Sequence, residues 1–130
     1  MTSKSAKTST LPLAGIRVLD LSRVLAGPWC AMVLGDLGAE VIKVEHPERG
    51  DDTGDWGARI GSTETAYFNG VNRNKRSVCL DLKTPEGQEI ARSLAKKSDI
   101  MIQNFKFGDI ERLGLGYEQL SVDQPELIYC

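Results

Sequence analysis

The amino-acid sequence predicts an α/β fold, a Rossmann-like open and mostly parallel sheet with flanking helices. Short β-rich segments alternate along the chain with segments of helical periodicity, a pattern typical of βαβ units. The helix between the first two strands is too long for a hairpin, so these strands are expected to be parallel and joined by a right-handed crossover. The composition agrees, because 130 residues with 41% hydrophobic and 26% charged side chains indicate one globular core.

The first βαβ unit is predicted between residues 16 and 45. Residues 16–21 form a β-rich run, and Gly27 and Pro28 open a helix because proline suits the first helical position. Gly38 supplies the stop after this helix, and residues 40–45 form the second strand. The apolar residues at helical spacing are Trp29, Met32, Val33 and Leu37.

A second set of elements follows a long polar loop, predicted over residues 46–62. The third strand is predicted at residues 77–82, and Thr84 caps the next helix with Pro85 as its first residue. The inward stripe of that helix is expected to comprise Ile90, Ala91, Leu94 and Ala95. A fourth strand is predicted at residues 99–103, short helical turns at 108–116, and an apolar strand at the last residues of the chain.

The ends and the composition give further expectations. Residues 1–11 are predicted to be a disordered tail and residues 12–130 an incomplete domain, because the chain stops inside a core strand. A net charge of −2 and the lack of a long apolar run predict no nucleic-acid partner and no membrane span. Three scattered cysteines favour a cytoplasmic protein without disulfides, in which Cys30 and Cys79 are expected to be core residues.

Cationic side chains cluster at the predicted carboxyl ends of the strands, where open α/β sheets bind ligands. The segments that meet there are residues 22–26, 45–55, Lys83 and 104–112. Arginine forks and lysine charges suit an anionic ligand that carries phosphates, although solvated surface cations remain the alternative for each residue taken singly.

Several other kinds of site fit the sequence poorly. The turn after the first strand has one glycine only, and Val24 and Leu25 would block the approach of a dinucleotide pyrophosphate. No Walker sequence occurs, and the aspartates around residues 51–55 lack the spacing of a calcium loop, so no metal site is predicted. His46, the single histidine, is expected to be a contact or structural residue rather than a base.

These segments together resemble the amino-terminal part of the family III CoA-transferases. The matching stretches, in order, are 12–21 (PLAGIRVLDL), 26–28 (AGP), 37–45 (LGAEVIKVE), 72–77 (NRNKRS), 81–87 (DLKTPEG), Asp99, 104–105 (NF) and 113–114 (LG). The resemblance covers residues 12–130 and accounts for roughly the first third of a family member. It implies a Rossmann-like large domain that binds coenzyme A over its strand ends.

The resemblance also implies the residues that contact coenzyme A. The matching positions are Val24, Leu25, Ala26, His46, Leu80, Lys83, Asn104, Phe105 and Arg112. Formyl-CoA transferase has glutamine and arginine in place of Leu25 and His46. An apolar Leu25 cannot hydrogen-bond an oxalate-like acid, so the dicarboxylate transferases are the nearer match.

The implied activity is exchange of CoA between an acyl-CoA thioester and a free carboxylic acid through an aspartyl intermediate. Coenzyme A is then a substrate, no cofactor is needed, and the family forms homodimers. None of the aspartates in this sequence matches the family nucleophile, so no catalytic residue is assigned and these 130 residues alone are expected to be inactive. Two alternatives stay open: an α-methylacyl-CoA racemase-like enzyme, and a non-catalytic CoA-binding module.

Overall fold

The computed structural model describes residues 11–61 and 64–130. The predicted tail, apart from Leu11, lies outside the described residues. The elements in chain order are β1 (Arg17–Asp20), α1 (Ala26–Asp36), β2 (Glu40–Glu45), a 3₁₀ helix (Asp52–Asp55), β3 (Arg59–Ile60), β4 (Glu64–Thr65), α2 (Ala66–Asn72), β5 (Lys75–Cys79), α3 (Pro85–Ala95), β6 (Ile100–Ile102), α4 (Asp109–Arg112), α5 (Tyr117–Leu120) and β7 (Ile128–Tyr129). The predicted α/β class is confirmed.

A five-stranded parallel sheet forms the centre of the fold, in the order β5-β2-β1-β6-β7. Val18 in β1 lies opposite Val41 of β2 on one side and Ile100 of β6 on the other. The order reverses between β1 and β6, because β2 and β5 extend the sheet in one direction and β6 and β7 in the other. Ligands of open α/β sheets bind outside the carboxyl ends at such a switch point.

Helices cover both faces of this sheet. On one face Ala31 of α1 packs with Val18 and Val41, and on the other Ala91 of α3 packs with Leu19. Successive strand residues alternate between the two clusters because side chains point to opposite faces along a strand. The result is a three-layer arrangement whose strand ends stay open at the carboxyl edge.

Two helix boundaries follow the sequence closely. Gly38 follows the carboxyl end of α1 and has a backbone φ of +107°, a left-handed conformation that glycine adopts without steric cost. The Oγ1 of Thr84 accepts a hydrogen bond from the N–H of Gly87 at 3.1 Å, and Pro85 is the first residue of α3. Both predictions are confirmed.

Other boundaries differ from the prediction. Helix α1 begins two residues before Pro28, and β5 begins at Lys75 rather than Ser77. The ammonium of Lys75 pairs with Asp20 inside the fold, which allows a charged residue to be the first residue of β5. The apolar pattern alone predicts a later start for this strand. The interval predicted as loop contains the 3₁₀ helix and β3, which pairs antiparallel with β4, and α2 was not predicted.

Burial of individual residues also departs from the pattern. Three of the apolar positions of α1 are exposed, and its sheet-facing residues include the small Ala31 and Gly35. A Cβ on Gly35 would lie 3.3 Å from the Val41 side chain, so small residues let α1 approach the sheet closely. Four apolar residues predicted to lie on the inner helix faces are exposed: Trp29, Val33, Leu37 and Ile90. Cys30 and Cys79, predicted to be core residues, are also exposed.

No helix within residues 11–61 and 64–130 is long and apolar enough to cross a membrane.

Candidate functional site

A cavity of about 340 Å³ opens at the carboxyl edge of the sheet. The ends of β1, β2 and β5 and the segment after β6 supply its walls. Residues lining it include Leu21, Arg23, Val44, Glu45, His46, Arg49, Gly50, Asp51, Leu80, Asp81, Leu82, Lys83, Phe105, Asp109, Arg112 and Leu113. Its volume lies near the lower end of the range of about 300–1,000 Å³ typical of small-molecule sites.

The cations on this cavity differ in how far acids neutralise them. Arg112 Nη1 lies 2.6 Å from Asp109 Oδ1, and Arg23 Nη1 lies 3.9 Å from Asp52 Oδ2. Lys83 and Arg49 have no ion pair with any residue that the structure describes. These two side chains therefore carry the positive charge that is available to an anionic ligand.

His46 faces the cavity with one ring nitrogen already occupied. Its Nδ1 accepts hydrogen bonds from the N–H groups of Glu48 at 3.2 Å and Arg49 at 3.4 Å. An accepting Nδ1 carries no proton, so the imidazole donates through Nε2. His46 is thus arranged as a hydrogen-bond donor and shapes the turn that carries Arg49.

Apolar groups line the remaining wall. Leu80 lines the cavity, is only 8% exposed, and donates its N–H to the Glu45 carbonyl at 2.9 Å. The guanidinium of Arg23 lies 5.5 Å from the centre of the Phe105 ring, a cation–π contact that fixes the ring at the cavity edge. Such a wall suits the apolar portion or the ring of a ligand whose charge lies nearer Lys83.

The first turn, defined as residues 22–26, reaches the cavity through Arg23, while its other residues lie beside it. Val24 has a backbone φ of +75°, which is a genuine outlier for a β-branched residue. The side chain of Asn104 accepts a hydrogen bond from the N–H of Arg23 at 2.9 Å and donates one to its carbonyl at 2.7 Å. Leu25 and Ala26 are exposed at the start of α1.

Gly27 lets α1 begin directly over this turn. A Cβ at Gly27 would lie 2.3 Å from the Cβ of Ser22, closer than real side-chain atoms approach. Any larger residue must displace either the first turn or the start of α1. The glycine in the AGP stretch therefore has a packing role that fixes the geometry of the turn.

A network of buried polar groups connects the first turn to the loop after β2. Lys43 Nζ donates to the Ser22 carbonyl at 2.9 Å and lies 2.9 Å from Asp51 Oδ2. Asp51 Oδ1 accepts from the N–H of Thr53 at 3.0 Å and from its hydroxyl at 2.7 Å. Lys43 consequently ties the first turn to the loop that carries the far wall of the cavity.

A second lysine continues this network across the sheet. Lys75 Nζ lies 2.9 Å from Asp20 Oδ2 and also donates to the Pro28 carbonyl and to Asn72 Oδ1. Asp20 in turn accepts hydrogen bonds from the N–H and the hydroxyl of Ser22. The first turn and the start of α1 are therefore fixed by charges that lie inside the fold.

The surroundings of two of these groups shift their pKa values. Burial lowers the pKa of the Lys75 ammonium, although the neighbouring Asp20 opposes this effect. Burial alone would raise the pKa of Asp51, but the hydrogen bond from the N–H of Thr53 and the ion pair with Lys43 outweigh it and leave the pKa below its ordinary value. Asp51 is therefore held as a carboxylate next to the cavity.

A second cavity of about 480 Å³ adjoins the first on the side of the 3₁₀ helix. The described residues that line it include five carboxylates and one guanidinium. They are Glu45, Glu48, Arg49, Gly50, Asp51, Gly54, Asp55, Glu64 and Phe68. This excess of negative charge disfavours an anionic ligand, so the smaller cavity is the better candidate site despite its lower volume.

The structure divides the nine residues predicted to contact coenzyme A into two groups. Five of them line the cavity: His46, Leu80, Lys83, Phe105 and Arg112. The other four, Val24, Leu25, Ala26 and Asn104, lie at or against the first turn outside its walls. Their roles as ligand contacts remain predictions.

Two further groups at the site are not distinguished by the sequence pattern. Arg49 lies within the strand-end segment 45–55, and Lys43 lies within the predicted strand 40–45. A lysine inside an apolar strand, followed by an aspartate-rich loop, is a signal that can indicate a buried ion pair. No comparable signal distinguishes Arg49, because its availability depends on which neighbouring acids already have partners.

Comparison with protein families and known proteins identifies what this chain is similar to. Residues 13–130 match the model of CoA-transferase family III. The chain is 51% identical over 122 residues to the succinyl-CoA:glutarate CoA-transferase of Mus musculus, covering 94% of this chain and 28% of that protein. It is also 51% identical over 125 residues to the succinate–glutarate CoA-transferase of Agrobacterium fabrum, covering 92% of this chain and 31% of the relative.

A solved structure gives the same result for the fold. The crystal structure of a CAIB/BAIF family protein from Brucella suis superposes with a TM-score of 0.86 at 49% identity, covering 92% of this chain and 32% of the other. The chain therefore spans about a third of the length of the relatives that it matches.

Proposed function

This chain is a member of CoA-transferase family III, and we propose that its strand-end cavity binds the CoA moiety of an acyl-CoA substrate. The complete gene product would then exchange CoA between this thioester and a free carboxylic acid. The part of the chain that lines this cavity would supply the binding part of the reaction.

One observation carries the proposal: two cations at the cavity have no acidic partner among the described residues. Lys83 and Arg49 line a cavity that the apolar Leu80 and Phe105 also line. Coenzyme A combines phosphate groups with an adenine ring and a largely apolar arm, so this combination of charged and apolar side chains matches its chemistry. His46 adds a hydrogen-bond donor through Nε2.

The aspartates on the cavity are better suited to binding than to attack on a thioester. Asp51 is paired with Lys43, Asp109 with Arg112, and Asp81 Oδ1 accepts a hydrogen bond from the N–H of Lys83 at 2.9 Å. A carboxylate that is held in this way is a poor nucleophile. We therefore assign the aspartyl intermediate of the exchange to a residue outside these 130 residues.

The acceptor is proposed to be a dicarboxylic acid. Two relatives with 51% identity are named for transfer between succinyl-CoA or succinate and glutarate. Leu25 is 43% exposed at the first turn and has no side-chain group that could hydrogen-bond a small acid. A flexible diacid, whose second carboxylate binds elsewhere, fits such a surface better than oxalate does.

The proposal is tested by a CoA-transfer assay of the complete gene product. Succinyl-CoA serves as donor, and glutarate, other dicarboxylates and oxalate serve as acceptors. Lys83→Ala and Arg49→Ala are each expected to raise the KM for the acyl-CoA about tenfold or more, because each removes a charge-assisted phosphate contact. Arg112→Ala is expected to have a smaller effect, since Asp109 already neutralises that guanidinium.

Lys97→Ala is the matched control. Lys97 is an exposed lysine beside the amino end of β6, at the opposite edge of the sheet. Its removal is expected to leave the KM unchanged. Equal KM values for the Lys83, Arg49 and Lys97 variants would refute the phosphate assignment, while α-proton exchange without CoA transfer would indicate a racemase. Binding without either reaction would indicate a CoA-binding module.

A further inference from the structure

We propose that Asn104 is a positioning residue, which holds the first turn in a strained conformation through the main chain of Arg23 rather than by contacting coenzyme A through its amide. The inference rests on the proposed CoA site, because the turn is part of that site. It differs from the role that the family resemblance implies, in which Asn104 is a ligand contact.

The hydrogen bonds of Asn104 are the first support. Its Oδ1 accepts from the N–H of Arg23 at 2.9 Å, and its Nδ2 donates to the carbonyl of the same residue at 2.7 Å. Strands β1 and β6 pair in parallel up to Asp20 and Ile102, and the N–H of Leu21 still donates to the carbonyl of Ile102 at 2.8 Å. The Asn104 amide therefore replaces a strand partner beyond the point where the two strands separate.

The backbone of Val24 is the second support. Its φ of +75° places a β-branched side chain in the left-handed region, where such residues rarely occur. Strain of this kind persists only where the surroundings determine the conformation. The residue immediately before Val24 is the one that Asn104 holds on both its N–H and its carbonyl.

Fixed points lie on both sides of the strained residue. Before it, Lys43 and Asp20 hold Ser22 through its carbonyl and its N–H. After it, the carbonyl of Leu25 accepts a hydrogen bond from the N–H of Trp29 at 2.8 Å, in the first turn of α1. Between these points, Asn104 holds the backbone of Arg23. Removal of its amide therefore allows the backbone of Arg23 and Val24 to relax.

The conformation has a consequence for ligand binding. In the described part of the chain, the N–H groups of residues 24–27 donate no hydrogen bond to protein atoms. Relaxation of Val24 to a negative φ would reorient the peptide groups on either side of it. Asn104 would therefore control the presentation of these N–H groups to an acyl-CoA while its own amide stays bound to Arg23.

A double-mutant cycle distinguishes positioning from direct contact. Glycine adopts a positive φ without steric cost, so Val24→Gly removes the strain that Asn104 has to hold. Asn104→Ala in the presence of Val24 is expected to raise the Kd for CoA about tenfold, as expected for loss of a strained functional conformation. In the Val24→Gly background, the same substitution is expected to raise the Kd less than about threefold. An equal factor in both backgrounds would overturn the proposal, because a direct amide contact is lost in either case.

A second readout needs no ligand. Amide hydrogen exchange of Ser22 and Arg23, whose N–H groups are hydrogen-bonded in the turn, is expected to accelerate in Asn104→Ala and to stay unchanged in Asn69→Ala. Asn69 is a matched control because it is an exposed asparagine whose amide bonds to Glu64 and not to a residue of the first turn. Unchanged exchange in Asn104→Ala overturns the positioning role, whereas failure of the wild-type complete gene product to bind CoA refutes the proposed function instead.

Discussion

Removing one partner of the buried ion pair between Lys43 and Asp51 is expected to cost far more stability than removing one partner of a surface pair of similar length. The two side chains are 2% and 1% exposed, and Nζ lies 2.9 Å from Oδ2. Lys43→Met keeps a side chain of similar length but leaves the Asp51 carboxylate buried without its cation. It also removes the donor to the Ser22 carbonyl. Removing one partner of a buried pair costs about 3–5 kcal/mol of the free energy of unfolding.

Lys96→Met provides a control with the same chemical change. Lys96 Nζ lies 2.8 Å from Asp123 Oδ2, but these side chains are 53% and 54% exposed. Solvent screens such a pair, so its loss is expected to cost about 0–1 kcal/mol. The comparison therefore isolates the effect of burial at nearly constant distance.

The assay is urea unfolding of the complete gene product, followed by circular dichroism. The double variant Lys43→Met/Asp51→Asn also removes the unpaired Asp51 carboxylate. Its free energy of unfolding is therefore expected to be about 1–3 kcal/mol higher than that of Lys43→Met alone. This double variant keeps the test informative even if the single variant does not fold. Equal losses in Lys43→Met and Lys96→Met, or a double variant that is less stable than Lys43→Met, would refute the reasoning.

Three further predictions concern pH, packing and the buried lysine of β5. The pKa of Asp51 in the folded protein lies below its ordinary value of 3.8, so its contribution to stability is present above that pH and is lost as pH falls through the folded-state pKa. The difference in unfolding free energy between the wild type and Asp51→Asn should therefore shrink in acid; a constant difference would contradict this. Gly27→Ala is expected to lower the unfolding free energy by about 1–3 kcal/mol through overpacking against Ser22, whereas Gly54→Ala, with no atom within 4 Å of its Cβ, is the control. Lys75→Met is expected to cost about 3–5 kcal/mol, because it leaves Asp20 buried without a cation, and a loss below that of Lys96→Met would refute the pairing.

The sequence predicted the sheet and its main helices because their signals are local. Thr84 and Pro85 mark the start of α3, and residues 40–45 form β2 as expected. The cluster of cations at the strand ends also follows from the sequence, since parallel strands bring their carboxyl ends to one edge. These features require no knowledge of which distant side chains meet.

The parts that the sequence did not predict depend on pairing between distant residues. Lys75 opens β5 because Asp20, far away in the chain, neutralises it inside the fold. The family resemblance implies that Asn104 contacts the ligand, and only the structure shows its amide bonded to the main chain of Arg23. Trp29 and Val33 fit an apolar helical pattern, but small residues on another face of α1 contact the sheet instead. Helical periodicity alone does not show which of two such faces is buried.

We propose above all that the strand-end cavity holds coenzyme A with its phosphates at Lys83 and Arg49. The decisive experiment is a crystal structure of the complete gene product with bound CoA. We expect phosphate oxygens within ion-pair distance of both side chains and the ligand in contact with Phe105 and Leu80. An occupied CoA site elsewhere on the protein, with this cavity empty, would contradict the claim.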